Sequence, residues 1–191
     1  MNGRLTWFLF GAFGVLLLAI VAGWIFLAAG LMPVNADAQP SAFERFLARL
    51  SLHASRDRDA TPVADPLPLD AANLSAGLKL YAANCIVCHG AADGRPSDVA
   101  MGLYQHAPQF GFHGVEDDPE YVTHWVVSHG IRFTGMPSFD VTLTDTQIWQ
   151  LTMFLKHMDS LPAAQAKLWK RLPSQGGARP HFFGPPPQAR G

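Results

Sequence analysis

The sequence predicts an all-α protein, with one apolar helix at its N-terminus followed by one compact helical domain. The apolar run from Trp7 to Met32 contains no charged side chain. Between residues 70 and 161, three segments carry apolar residues at helical spacing, and none shows the alternation that is typical of strands. A length of 191 residues suits one domain with additional segments. Only 15% of the side chains are charged, which excludes a disordered acidic or basic protein.

Composition also narrows the function classes. The formal net charge is −1, which excludes a protein built to neutralise nucleic-acid phosphates, so we expect no nucleic-acid partner. Two cysteines exclude a disulfide-dense scaffold and a Cys-only zinc site. The charge is unevenly distributed, because residues 70–160 hold ten acidic and four basic side chains, whereas residues 161–191 hold five basic side chains and no acidic one. We therefore expect salt-sensitive association with a basic partner surface.

Residues 1–32 are predicted to be a transmembrane anchor. The 26 residues of the apolar run would span about 39 Å as a helix, whereas a bilayer core of about 30 Å needs about 20 residues. The alternative is a cleaved signal peptide ending near Ala36-Asp37-Ala38, whose apolar region would be only about 7–15 residues long. Arg4 precedes the run, and the next basic residue is Arg45. The positive-inside rule therefore predicts a single-pass protein of a bacterial inner membrane, with a cytoplasmic N-terminus and a periplasmic domain.

Residues 33–69 are predicted to form an amphipathic helix and a proline-rich tether. The helix would cover Ser41 to Leu52 and open with a capping box of Ser41 and Glu44. Two roles are open for it, since it could lie on the membrane surface or a partner, or pack on the globular domain. The proline-rich stretch over residues 61–69 would be extended. The apolar face of the helix comprises Phe43, Phe46, Leu47 and Leu50.

Capping residues mark three helices in residues 70–161. The first helix is capped by Asp70 and continues through Asn84, the second opens at Asp118 and has Gly130 at the C′ position after its end, and the third opens at Thr144. From residue 162 to residue 191 the chain is polar, basic and proline-rich, and we expect a tail with little folded structure.

Cys85-Ile86-Val87-Cys88-His89 is a C-x-x-C-H motif, which is typical of c-type haem attachment. The two thiols lie one helical turn apart, so each can add to one haem vinyl group, and the imidazole of His89 can bind the iron. A thioredoxin-like redox pair would need a βαβ context, and a zinc site would need a fourth ligand. A disulfide between Cys85 and Cys88 is a further alternative, which leaves His89 without a role. We therefore predict one covalently bound haem c.

Met136 is the predicted second iron ligand. It stands in the loop Gly135-Met136-Pro137, 47 residues after His89, which lets the chain cross to the opposite face of the haem. Met101 follows His89 too closely to reach that face easily. The rival ligands are histidines, with His129 as second choice among His53, His106, His113, His124, His129, His157 and His181.

Residues 70–161 resemble a monohaem class I cytochrome c domain. The matching features are Gly77 and Tyr81, the C-x-x-C-H motif with Gly90, Ala107-Pro108-Gln109-Phe110, Gly135-Met136-Pro137-Ser138-Phe139, and the helix from Trp149 to Leu155. The resemblance implies an all-α fold class, a class I cytochrome c-like haem domain on a single N-terminal transmembrane helix. It also implies that the first and last helices of the domain cross at Gly77. A proline carbonyl, that of Pro108 or alternatively Pro96, would accept a hydrogen bond from His89. Arg132 is either the partner of a haem propionate or a surface arginine.

Such a domain implies one-electron transfer, because a haem with His89 and Met136 as ligands has no open position for a substrate. We expect a tethered carrier at the membrane surface in a respiratory or photosynthetic chain. Its partners would be redox proteins that donate and accept electrons, and we expect no catalytic residue and no small-molecule substrate. The alternatives are a fixed cytochrome c subunit of a larger membrane redox complex, and a gas-binding or peroxidatic haem protein in which Met136 is not a ligand.

Overall fold

The computed structural model describes residues 3–111 and 113–173, and within these ranges the chain is helical and contains no strand. The all-α prediction is confirmed. Contacts divide the chain into two compact units, Met1–Ala38 and Gln39–Gly191. The helices are α1 Gly3–Ala28, α2 Ala42–Asp59, α3 Ala71–Asn84, α4 Ile86–His89, α5 Asp98–Met101, α6 Glu120–His129, α7 Asp145–Lys156 and α8 Ala163–Arg171.

α1 is the apolar N-terminal helix. Its 26 residues extend over about 39 Å, none of its side chains is buried, and an 18-residue stretch of it has a mean hydropathy of 2.5. The helix ends at Ala28, four residues before the predicted end of the apolar run, because Gly30 adopts a left-handed conformation with φ +67°. The Leu31 amide then donates to the Phe26 carbonyl at 3.2 Å, as in a Schellman motif. By length and composition, α1 can cross a membrane.

α3 and α7 cross at Gly77 and build the core of the second unit. A Cβ on Gly77 would lie 2.0 Å from the Gln150 carbonyl oxygen and 2.8 Å from the Phe154 Cβ. Only glycine therefore allows the two backbones to approach this closely. On either side of the crossing lie fully buried side chains, among them Tyr81, Leu151 and Phe154. The crossing fixes where α3 ends and where the C-x-x-C-H motif begins.

The predicted helix starts at Asp70 and Thr144 are confirmed. The Asp70 carboxylate accepts from the Asn73 amide at 2.8 Å, and Thr144 forms a complete capping box with Gln147. The predicted start at Asp118 is wrong by one residue, since Pro119 is the N-cap of α6 and makes no side-chain cap. Asp118 faces an arginine of α2 instead.

α2 is longer than predicted, because it continues past Leu52 to Asp59. The Ser41 hydroxyl accepts from the Glu44 amide at 3.1 Å, but the Glu44 carboxylate accepts from the Tyr104 hydroxyl, so only half of the predicted capping box forms. The C-terminal half of α2 packs on the globular unit, and Ala60 behind it is buried. The predicted apolar face stays exposed and comprises Phe43, Phe46, Leu47 and Leu50.

The expectation of little folded structure after residue 162 is wrong for α8. Trp169 on this helix is 1% exposed and packs edge-on against Tyr81 and Phe154, with ring centroids 5.3 and 5.6 Å away. Its indole N–H donates to the Gly111 carbonyl at 3.0 Å. α8 is therefore part of the core, because one large aromatic side chain seals the end of the α3–α7 crossing. The rest of the predicted tail, His181 included, lies outside the described residues.

We expect Gly77→Ala to lower the free energy of unfolding of the haem-loaded protein by about 1–3 kcal/mol, because the added methyl group forces α3 away from α7. This loss exceeds the gain of roughly 1 kcal/mol in helix propensity. Urea unfolding followed by circular dichroism measures the effect. The matched control is Gly102→Ala, where the nearest atoms to a new Cβ are 3.6 Å away. Equal unfolding midpoints for Gly77→Ala and the unchanged protein would contradict this reading of the crossing.

Candidate functional site

One cavity of ≈ 320 Å³ lies inside the second unit, between the C-x-x-C-H motif and the loop that carries Met136. Cys85, Cys88 and His89 line it from one side, and Met136 lines it from the loop after α6. Most of the remaining lining is apolar, including Val122 and Leu155. A cavity of this size with an apolar lining and a few polar groups is typical of a cofactor site.

His89 is held in one orientation by the segment that follows it. Its Nδ1 lies 2.9 Å from the Pro108 carbonyl oxygen, and its ring stacks on Phe110 with centroids 4.6 Å apart and planes 2° from parallel. A carbonyl only accepts hydrogen bonds, so Nδ1 carries the proton and Nε2 keeps its lone pair. Burial lowers the pKa of His89, and the hydrogen bond to Pro108 opposes this shift. The imidazole is therefore neutral at pH 7 and suited to bind a metal.

The two cysteines are free thiols at the start of α4. Cys85 is buried and Cys88 is half-buried. Burial, with a smaller contribution from Cys88, raises the pKa of Cys85 to about 12. Cys85 is therefore protonated at neutral pH, whereas zinc binding requires a thiolate. In the part of the chain that the structure describes, no three His, Cys, Asp or Glu side chains group as metal ligands, so the zinc alternative gains no support.

Gly90 allows the chain to turn back against the motif. It has φ +77°, and a Cβ there would lie 2.6 Å from the Gln109 Oε1. The Gln109 side-chain amide donates to the Cys88 carbonyl at 2.8 Å, and the Phe110 amide donates to the His89 carbonyl at 3.1 Å. The segment that carries Pro108 is therefore fastened directly to the motif, which accounts for the position of its carbonyl beside the Nδ1 of His89.

The loop that carries Met136 is tied to the end of α6. Gly130, with φ +66°, lets the loop return so closely that a Cβ would lie 2.5 Å from the Pro137 carbonyl. The Ile131 amide donates to the Met136 carbonyl at 3.2 Å, and the Met136 amide donates to the Thr134 hydroxyl at 3.1 Å. The residues between Gly130 and Gly135 thus form a closed turn, and Met136 still reaches the cavity.

The rival ligands are separated by position. Of the methionines in the described residues, Met136 alone lines the cavity, and of the histidines other than His89 only His106 does. His129, the second choice as ligand, is exposed and stacks on Trp125 instead. His106 belongs to the same loop as Pro108, whose carbonyl accepts the hydrogen bond from His89.

Of the two roles left open for Arg132, its position favours the surface arginine over the partner of a propionate. It is exposed and does not line the cavity, because the turn around Phe133 carries residues 132 and 133 outward. Phe133 has φ +62° and is 90% exposed. Arg56 on α2 lines the cavity instead. Sequence reasoning missed Arg56 because the predicted helix ended at Leu52. Had the helical pattern been continued through the polar residues 53–59, it would have included Arg56.

Thr123 provides a test of whether haem fits this cavity. The residue is 5% exposed and lines the cavity from α6, and its Oγ1 has no hydrogen-bond partner among the described residues. A buried hydroxyl without a partner costs stability, and a bound acceptor group removes that cost. Haem combines a large apolar ring with two carboxylates, so its chemistry fits an apolar cavity with this hydroxyl on its wall.

Residues 72–155 match the protein family described as cytochrome c oxidase, cbb3-type, subunit III. The match begins inside α3 and ends inside α7, so it contains the C-x-x-C-H motif, Pro108 and Met136, and it excludes α1, α2 and α8. No curated protein sequence matches the chain. Cytochrome c domains carry haem and transfer electrons, and the helical fold around the cavity agrees with the match. Residues 72–155 are therefore a cytochrome c-type domain.

Proposed function

We propose that this chain transfers single electrons through one haem c, bound covalently by Cys85 and Cys88 and held at the iron by His89 and Met136. The observation that carries the proposal is that these four side chains line one largely apolar cavity. When bound, haem supplies a one-electron iron couple. With ligands on both faces, no position is left for a substrate, so the protein carries electrons without turning over a small molecule.

The surroundings of His89 support a role in electron transfer. Pro108 holds the Nδ1–H and Phe110 covers one face of the ring, so the ligand nitrogen keeps its position when an electron enters or leaves. A methionine sulfur favours the reduced iron, which raises the reduction potential relative to a pair of histidines. Both features suit a carrier that changes oxidation state with little rearrangement.

We further propose that α1 anchors the protein in a bacterial inner membrane, with the cytochrome domain in the periplasm. The length and hydropathy of α1 and the position of Arg4 before the apolar run support this orientation. Residues 29–41 connect α1 to α2 and reach at most about 45 Å when fully extended. The globular unit would serve as a tethered carrier, and the acidic charge of residues 70–160 favours donor and acceptor proteins with basic docking surfaces.

A fixed subunit of a larger redox complex is the second candidate function. The matched family is described as a subunit of an oxidase, and this description favours it. The outward face of α2 also offers apolar surface, with Phe43 70% and Phe46 59% exposed. The two candidates share the same haem chemistry and differ in whether the chain has stoichiometric partners.

We expect the exported protein to carry one haem that survives denaturation. Its intact mass should equal that of the polypeptide plus one haem, and haem staining should persist after denaturing electrophoresis. Cys88→Ala should keep one thioether and retain the stain, whereas Cys85→Ala combined with Cys88→Ala should lose it. Extraction of the haem from the unchanged protein by denaturation would refute covalent attachment.

We expect Met136→Ala to abolish the sulfur-to-iron charge-transfer band of the oxidised protein and to lower its reduction potential, because the iron loses a soft sulfur ligand. The absorption spectrum of the oxidised form measures the band, and a redox titration followed by absorption measures the potential. Met101→Ala is the matched control, because Met101 does not line the cavity, and it should leave the spectrum unchanged. Persistence of the band in Met136→Ala, or a high-spin spectrum of the unchanged protein, would contradict the proposed ligand and favour a gas-binding or peroxidatic haem protein.

Purification in mild detergent separates the two candidate functions. A tethered carrier should elute as the chain alone, with its haem and without other proteins. We expect this result at both low and high ionic strength, because a carrier binds its partners only transiently. Co-purification with partner proteins in a fixed ratio would overturn the carrier and support the subunit.

A further inference from the structure

α2 crosses the haem cavity although it lies outside the segment that matches the cytochrome family. Near its N-terminus, the Glu44 carboxylate accepts a hydrogen bond from the hydroxyl of Tyr104, in the loop that continues to Pro108. Twelve residues later, Arg56 approaches Asp118 beside α6. These two contacts are about 18 Å apart along the helix. Between them, Leu52 presents an apolar side chain to the cavity. The helix is thus fastened on both sides of the site.

Arg56 is placed to bind an anion inside the cavity. Its side chain is 26% exposed, and it is the only lysine or arginine that lines the cavity in the described residues. Its Nε and Nη2 both lie 3.1 Å from the Asp57 Oδ1, while its Nη1 lies 3.9 Å from the Asp118 carboxylate, beyond hydrogen-bond distance. Nη1 and the outward N–H of Nη2 are therefore left to donate to a carboxylate in the cavity, with the fork geometry that arginine brings to such pairs.

When haem is bound, the acidic groups in the cavity require a compensating positive charge. The acidic side chain of Asp118 lines the same cavity. Haem adds two propionate carboxylates, and a carboxylate placed beside Asp118 without compensation would be repelled by it. Arg56 supplies the compensating charge, and the unpaired hydroxyl of Thr123 supplies a neutral donor on the same cavity wall. An apolar lining alone would provide neither.

We propose that α2 is a strap that completes the haem pocket from outside the cytochrome domain, with Leu52 covering the ring and Arg56 paired with a haem propionate. This inference rests on the proposed function, since it requires haem in the cavity. The inference assigns the propionate to Arg56 and not to Arg132, which is exposed and outside the cavity. Arg56 lies outside residues 72–155, so a comparison of the cytochrome domain alone would not include it.

The test compares Arg56→Gln with the unchanged full-length, haem-loaded protein. Loss of the guanidinium leaves a propionate charge uncompensated, which stabilises the oxidised iron. We expect reduction to become less favourable by on the order of tenfold, which is about 59 mV for one electron, measured by redox titration. The propionate band of the resonance Raman spectrum should shift in the same variant. Arg56→Lys, which keeps the charge but not the fork, should restore most of the potential and little of the band position.

Two control variants separate this role from a purely structural one. Arg58→Gln removes the same charge from the same helix, but Arg58 is 75% exposed and pairs with Asp59, so neither the potential nor the Raman band should change. Asp118→Asn removes the opposite charge from the cavity wall, so it should raise the potential. If Arg56 served only to hold α2 on Asp118, Arg56→Gln and Asp118→Asn would lower stability alike, and neither would move the potential.

The outcomes for this inference and for the proposed function are distinguishable. A potential and Raman band that are unchanged in Arg56→Gln, in a protein that carries covalent haem, would overturn the inference alone. Equal shifts in Arg56→Gln and Arg58→Gln would also overturn it, since the effect would then be a general charge effect of α2. Absence of covalent haem from the unchanged protein would overturn the proposed function and this inference together.

Discussion

The close crossing of α3 and α7 is the contact on which the position of the cavity depends. Gly77 lets the α3 backbone approach the Gln150 carbonyl, and this approach places Tyr81 against Phe154 with ring centroids 5.4 Å apart. The Tyr81 hydroxyl then donates to the Gly90 carbonyl at 2.8 Å, directly after the C-x-x-C-H motif. A single glycine therefore sets the packing of the core, and a chain of contacts carries that position to the residue after His89.

The two sides of the cavity are held by different means. On the histidine side, side chains and backbone of residues 107–110 fasten the motif, so several independent contacts fix His89. On the methionine side, the position of Met136 depends on a backbone turn that starts at Gly130 and closes through Thr134. The strained, exposed Phe133 at the tip of that turn shows where the chain absorbs the length of the loop. The first arrangement is held by hydrogen bonds from a separate segment together with the stacking of Phe110, and the second by hydrogen bonds within its own turn.

Features that depend on local chemistry could be predicted from the sequence, and features that depend on distant contacts could not. Asp70 and Thr144 cap their helices as expected, because a side chain bonds an amide three residues away whatever surrounds it. Glu44 was expected to bond backward into its own helix, but Tyr104, sixty residues away, competes for its carboxylate. α8 was missed because its polar composition resembles a tail, and only the pocket for Trp169 between Tyr81 and Phe154 gives it a place in the core. The sequence could not show which of Arg132 and Arg56 lines the cavity, since both are arginines that follow the end of a predicted helix.

The packing of α2 on the globular unit changes how the protein can move. If residues 33–69 were all flexible, the haem domain would swing freely on a long tether. Instead α2 belongs to the same compact unit as the cavity, through the contacts of Glu44 and Arg56, and the proline-rich stretch after it loops back to α3. If α1 anchors the chain as proposed, only residues 29–41 act as a tether, which limits the reach of the unit to about 45 Å. For the proposed carrier, a short tether would raise its effective concentration near neighbouring membrane proteins and exclude distant ones. Under both proposals, α2 would complete the haem pocket and also determine which partners the carrier can reach.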